Sequence, residues 1–155
     1  MSGVFRVPFA YTGNSNVDLA EITAASTKPL VILGFDIGQT SDVGDSAEEI
    51  IALVLKHGTS ATTSGSGGSS STPVNADTTG GSASFASEQG NTTRMSGGTI
   101  TTHATHHWNV RMPLNVRYTQ EEQVLIGASA RATLEIPAAT DSLTIAGQLI
   151  VQEIG

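Results

Sequence analysis

The side chains with most chemistry in them are those of HATHH, residues 103–107, where His103, His106 and His107 precede Trp108. Imidazoles can ligate zinc or exchange protons near neutral pH. Zinc, however, needs three or four ligands converging on one point. On a strand successive side chains alternate, so His103 and His107 are expected on one side and His106 on the other. The chain has no cysteine, and no carboxylate follows at a ligand-like spacing. The segment therefore reads as polar residues leading into a strand that buries Trp108, with no metal assigned. His57 reads as a strand-end residue.

The carboxylates give no stronger signal. Asp42 and Asp45 sit in a DVGD turn, and Glu48–Glu49 and Glu121–Glu122 are adjacent pairs. Adjacent acids on a strand face opposite ways, so these pairs read as solvated rims. The DVGD turn lacks the ligand density of a calcium loop. GxSxG and GxxxxGK[ST] are both absent, and GSGGSS at 65–70 fails the GxGxxG pattern. The NTT sequon at 91–93 reads as accidental, because the N-terminus has no basic region followed by an apolar one. No catalytic residue and no cofactor emerge, and the chain reads as a non-enzyme.

Composition points the same way. The 155 residues suit one domain, with 38% hydrophobic and 14% charged residues and no disulfide to hold it. The net charge of −7 comes with seven scattered bases, Arg6, Lys28, Lys56, Arg94, Arg111, Arg117 and Arg131. A nucleic-acid partner needs a basic face, so none is expected. LVILGF and IIALVL fall far short of the ~20 apolar residues of a membrane-spanning helix, so no membrane partner is expected either.

The elements read as strands. Residues 3–12 place Phe5, Val7, Phe9 and Tyr11 on one face at period two, with Pro8 marking an edge strand. VDLAEIT at 17–23 alternates imperfectly. LVILGFDIGQ at 30–39 reads as a central strand buried on both faces and bending near Gly34. Residues 46–58 carry a capping-box pair, Ser46 and Glu49, yet IIALVL also suits a strand; the strand-like neighbours favour the strand. Strand patterns return over 106–119, 121–139 and 142–155, with Gly147 as a kink and PAATDS as a hairpin-like connection. The last strand is expected to be tied into a sheet.

Residues 59–102 differ. They are rich in Ser, Thr and Gly and poor in apolar anchors, so they read as a flexible or partner-binding arm inserted into one domain, 1–155. SASFAS is a candidate short strand within it, and Phe85 stands alone there as a candidate anchor for a pocket of this domain or a neighbour. The expected fold is all-β: an antiparallel sandwich, jelly-roll-like, of about eight strands. Phe85, Phe5, Phe9 and Trp108 are the candidate interface residues.

The order of phrases FRVPFAYT, DLAEIT, VILGFDIGQTSDVGDSAEE, GSGGSSSTP, WNVRMP and RATLEIPAATDSLTIAGQLIVQEIG resembles small virion proteins encoded by tailed bacteriophages. The resemblance spans essentially the whole chain and brings no catalytic residues. It implies a capsid decoration or cement protein in the virion, with the major capsid protein and its own copies, as a homotrimer, for partners. Two other classes remain in view: a receptor- or glycan-binding module of a fibre or spike head, and a metal hydrolase using His103–His107.

Overall fold

The computed structural model describes residues 3–41, 49–139 and 141–155. The strands are β1 (Gly3–Gly13), β2 (Val17–Thr23), β3 (Leu30–Gln39), β4 (Ile50–Gly58), β5 (Ser69–Ser70), β6 (Val74–Asn75), β7 (Ala86–Asn91), β8 (Ile100–Asn109), β9 (Leu114–Arg117), β10 (Val124–Ile126), β11 (Arg131–Ile136) and β12 (Leu143–Glu153). Every pairing is antiparallel, and no described residue is helical. The fold is all-β, as two packed antiparallel sheets.

One sheet, here sheet A, runs β10-β3-β12-β1-β6, with β9 pairing β3 beside β10. The other, sheet B, runs β5-β7-β2-β11-β4-β8. The long strands pair in a nested way: β1 with β12, β2 with β11, β3 with β9 and β10, and β4 with β8. The β1–β12 ladder is unbroken from Gly3↔Glu153 to Gly13↔Leu143. Two further pairings, β3–β12 and β4–β11, join the nested pairs side by side within each sheet.

Period-two alternation decides which side chains meet between the sheets. Phe5, Val7 and Phe9 of β1 and Leu149 and Val151 of β12 project inward from sheet A, towards Leu53 and Leu55 of β4, Trp108 of β8 and Leu134 of β11. Two glycines permit close approach. A Cβ on Gly34 would overlap the Val116 carbonyl oxygen, and one on Gly147 would overlap the Asp36 carbonyl oxygen and the Phe9 ring. Gly34 lies at a β-bulge, where the β3–β12 register shifts.

Several expectations change. Residues 50–58 are strand, as the strand-like neighbours implied; the DVGD turn and Ser46 lie outside the described residues. β3 is central but buried only on its inner face, because among the described residues no second layer lies over Val31 and Leu33 on the outer face of sheet A. PAATDS does not close a hairpin: β11 belongs to sheet B and β12 to sheet A, so the connection crosses between layers. Pro8 lies where β1 has β12 on one side and, on the other, β6 reaching only Phe5 and Arg6. Residues 59–102 are built into the sandwich: β6 extends sheet A, β5 and β7 extend sheet B, and isolated bridges join Thr63 to Ser96 and Ser66 to Thr93.

Candidate functional site

The histidines come together differently from strict alternation. The β4–β8 register shifts between Leu55 and Lys56, so a bulge at His103 turns its ring to the side of His106. The His106 and Tyr118 rings lie 5.9 Å apart, with the Nε2 of His106 2.9 Å from the Tyr118 hydroxyl. His103 lies 6.1 Å from Tyr118 and 6.4 Å from His57 between ring centroids, and its Nε2 is 3.1 Å from the Glu122 carbonyl oxygen. His107 is exposed, on the strand's opposite side. Burial, and then the neighbouring His103, lowers the pKa of both His57 and His106. Burial, reinforced by Glu122, pushes the Tyr118 phenol up to about 12. Among the described residues no group of three or more His or acidic side chains could hold a metal ion. The arrangement is an aromatic seam joining β8 to the β9–β10 connection.

The outer face of sheet B holds what composition did not reveal. Asp18 and Glu21 of β2, and Thr133 and Glu135 of β11, point away from the core yet are buried. Parts of 62–66 and 93–96 lie over them and are pinned by them. Gly65 N–H donates to Glu21 Oε2 (2.9 Å), Ser64 Oγ to Glu21 Oε1 (2.6 Å) and Asn91 Nδ2 to Glu21 Oε2 (3.1 Å). Met95 N–H donates to Asp18 Oδ2 at 2.8 Å. Arg94 and Lys56 both pair with Glu135, at 2.6 and 2.8 Å, and Arg131 donates to the Thr62 carbonyl. Burial pushes the Asp18 carboxyl up to about 7, against the lowering effect of the Met95 amide, with Glu135 and Glu21 adding to the rise. Asn91 of the sequon is buried in this network, leaving a glycan no room. The segment's low apolar content misled because, beside the buried Phe85 and Met95, much of its attachment is polar. The one sequence signal was the pair of acids in β2 on an otherwise apolar strand.

The four candidate interface aromatics are all in the chain's own core. Phe5, Phe9, Phe85 and Trp108 are buried, Phe85 standing edge-on to Phe5 and Trp108 donating its indole N–H to the Met112 carbonyl at 2.6 Å. Their rings are occupied within the domain, so none offers an exposed anchor to a neighbour. Beside Phe5 lies a cleft of about 600 Å³ between Lys28, Asn75, Asp77 and Glu153. Glu153 accepts from Lys28 Nζ (2.8 Å), Ser84 N–H (2.9 Å) and Ser84 Oγ (2.5 Å). Burial acts to raise its pKa, but Lys28 and Ser84 outweigh that and leave it lowered. Lys28 and Glu153 are thus mutually satisfied, and the Asp77 carboxylate at the rim of the cleft accepts, among the described residues, only from Thr79 N–H and Oγ1.

The outer face of sheet A is the remaining surface. Val4, Val31, Leu33 and Ile150 are half-buried on it, and Leu125 is 63% exposed. Arg6 and Pro8 project from the same face, and Asp36 there binds Arg117 (2.7 Å) and Gln148 (2.8 Å). The Arg117 guanidinium holds the Asp36 carboxyl below its usual range. This sheet face is partly apolar, and Asp36 and Arg117 on it are paired with each other. Comparison with protein families, with curated proteins and with solved structures finds no match.

Proposed function

We propose that this chain is a structural subunit of a tailed-phage virion, a decoration protein that binds the assembled head shell through the outer face of sheet A. The observation that carries this reading is the asymmetry of the two outer faces. Sheet B is covered by its own insertion, with buried acids fixing the cover, whereas among the described residues no layer lies over Val4, Val31, Leu33, Ile150 and Leu125 of sheet A. The nested pairing is read as a jelly roll, an architecture of viral capsid and lectin domains, and the phrase-level resemblance points to the virion. A subunit that binds only the assembled shell stabilises it by mass action, and many weak equivalent contacts suffice. The glycan-binding reading expects an exposed ring near Trp108 or Phe85, and both are buried.

The test is co-sedimentation with empty, expanded shells of the phage that encodes the chain. Saturable binding is expected, together with loss of binding in Leu125→Lys and Ile150→Lys at unchanged thermal midpoint. Absence of binding by the folded wild-type chain overturns the proposal.

A further inference from the structure

The edge of sheet B opposite β5 is β8. It runs ten residues, pairs β4 on one side, and has no strand on the other among the described residues. Exposed edges are normally guarded by Lys, by Pro or by brevity, because their free N–H and C=O groups template pairing with another chain. Residues 100–109, ITTHATHHWN, contain no Lys, Arg, Asp, Glu or Pro. Ile100, Thr101, Thr102, His103, Thr105 and His107 are all exposed. The bulge at His103 leaves Ala104–Trp108 as the regular stretch.

We propose that β8 is a self-association edge, pairing antiparallel with β8 of a second copy to join two B sheets into one. Two observations select a second copy as the occupant. First, the chain carries a net charge of −7, yet this strand has no acid or base, so two copies can meet here without like charges facing each other. Second, the ends of the strand are self-complementary. Ile100 is 37% exposed at one end; Ile50, at 64%, and Met112, at 66%, are exposed at the other. Ile50 is the register partner of Asn109, and Met112 N–H donates to the Asn109 carbonyl. An antiparallel pair centred on His106 sets Thr105 of one copy across from His107 of the other. It also carries each Ile100 towards the partner's Ile50 and Met112, twice over by symmetry. An edge that pairs with itself closes after two copies, so this contact is two-fold, unlike the homotrimer that the phage resemblance implies. It stands on the edge geometry and is independent of the shell-binding reading.

Light scattering across a concentration series tests it. A two-chain mass is expected for the wild-type chain, with amide exchange over 104–108 slowing several-fold as the dimer fills. The Thr105→Lys/His107→Lys variant should be monomeric at every concentration and should share the wild-type thermal midpoint at the dilute end of the series, where the wild type is itself dissociated, since both side chains are exposed. The chain has no cysteine, so the Thr105→Cys/His107→Cys variant reports directly: mild oxidation should yield a covalent two-chain species, because facing antiparallel positions lie within disulfide reach. A one-chain or three-chain wild-type mass, or the absence of that covalent species, overturns the proposal.

Discussion

The ring of Phe85 meets that of Phe5 edge-on, with centroids 5.5 Å apart and planes at 86°. This contact ties the middle of the Ser/Thr/Gly-rich insertion to the strand that opens sheet A, and the Ser84 bonds to Glu153 lie directly beside it. Edge-to-face aromatic pairs add to burial through the ring quadrupole.

Phe85→Ala should therefore cost about 3–5 kcal/mol, the range for deleting a buried aromatic ring. Urea denaturation gives the value, and amide exchange shows where the loss falls. Exchange should rise most at Ser84 and across 82–86. A loss below about 1 kcal/mol would mean that Phe85 does not anchor the segment.

Glu21→Ala removes the acceptor for Gly65 N–H, Ser64 Oγ and Asn91 Nδ2 and leaves Arg131 without its neighbouring carboxylate. Buried donors left without a partner cost about 1–3 kcal/mol each, so a total loss of about 2–4 kcal/mol is expected. The accompanying sign is faster exchange of the Gly65 and Ser66 amides, with the β1–β12 ladder unchanged. Uniform loosening of both sheets would contradict a local fastening role.

Asp18 sets a pH dependence. Its carboxyl is raised to about 7 in the folded state, so between about pH 4 and 7 the folded chain holds a proton that the unfolded chain has lost. Stability from this group therefore falls as pH rises through that window and stays lower above it. Asp18→Asn keeps an acceptor for Met95 N–H and sets no third negative charge beside Glu21 and Glu135. It should be more stable than wild type at pH 8, by on the order of 2–4 kcal/mol, and close to it at pH 4. Equal differences at both pH values would rule out this linkage.

His106 acts in the opposite direction. Its folded pKa lies below the unfolded value, so the unfolded chain takes up a proton first as pH falls below about 6.5. The neutral ring's contribution is present above that pH and is lost in acid, with His57 contributing the same sign. His106→Gln retains a side chain able to bond the Tyr118 hydroxyl and does not titrate. Its urea midpoint should fall less between pH 7 and pH 5 than the wild-type midpoint does. An NMR titration should place the His106 pKa below 6.5, and a value above it would remove the argument.

What the sequence determined by itself was local. Period two put Phe5, Val7 and Phe9 on one face of β1 and Leu149 and Val151 on one face of β12, and turn residues marked where strands stop. The strand-like neighbourhood also favoured a strand over 50–58. These readings depend only on side-chain alternation and on backbone preferences of near neighbours, which a linear pattern carries. Tertiary structure decided everything that joins distant residues. PAATDS looks like a hairpin connection, yet it carries the chain from β11 in one sheet to β12 in the other, and β12 pairs with β1 while β11 pairs with β2. A turn signal reports that the chain reverses, not which strand it will meet. The bulge at His103, which gathers His57, His103, His106 and Tyr118, is a register shift between two strands and has no counterpart in one strand's pattern. The insertion is held by carboxylates bonding backbone N–H groups up to 77 residues away, and such donors are present on every non-proline residue, so composition could not single them out.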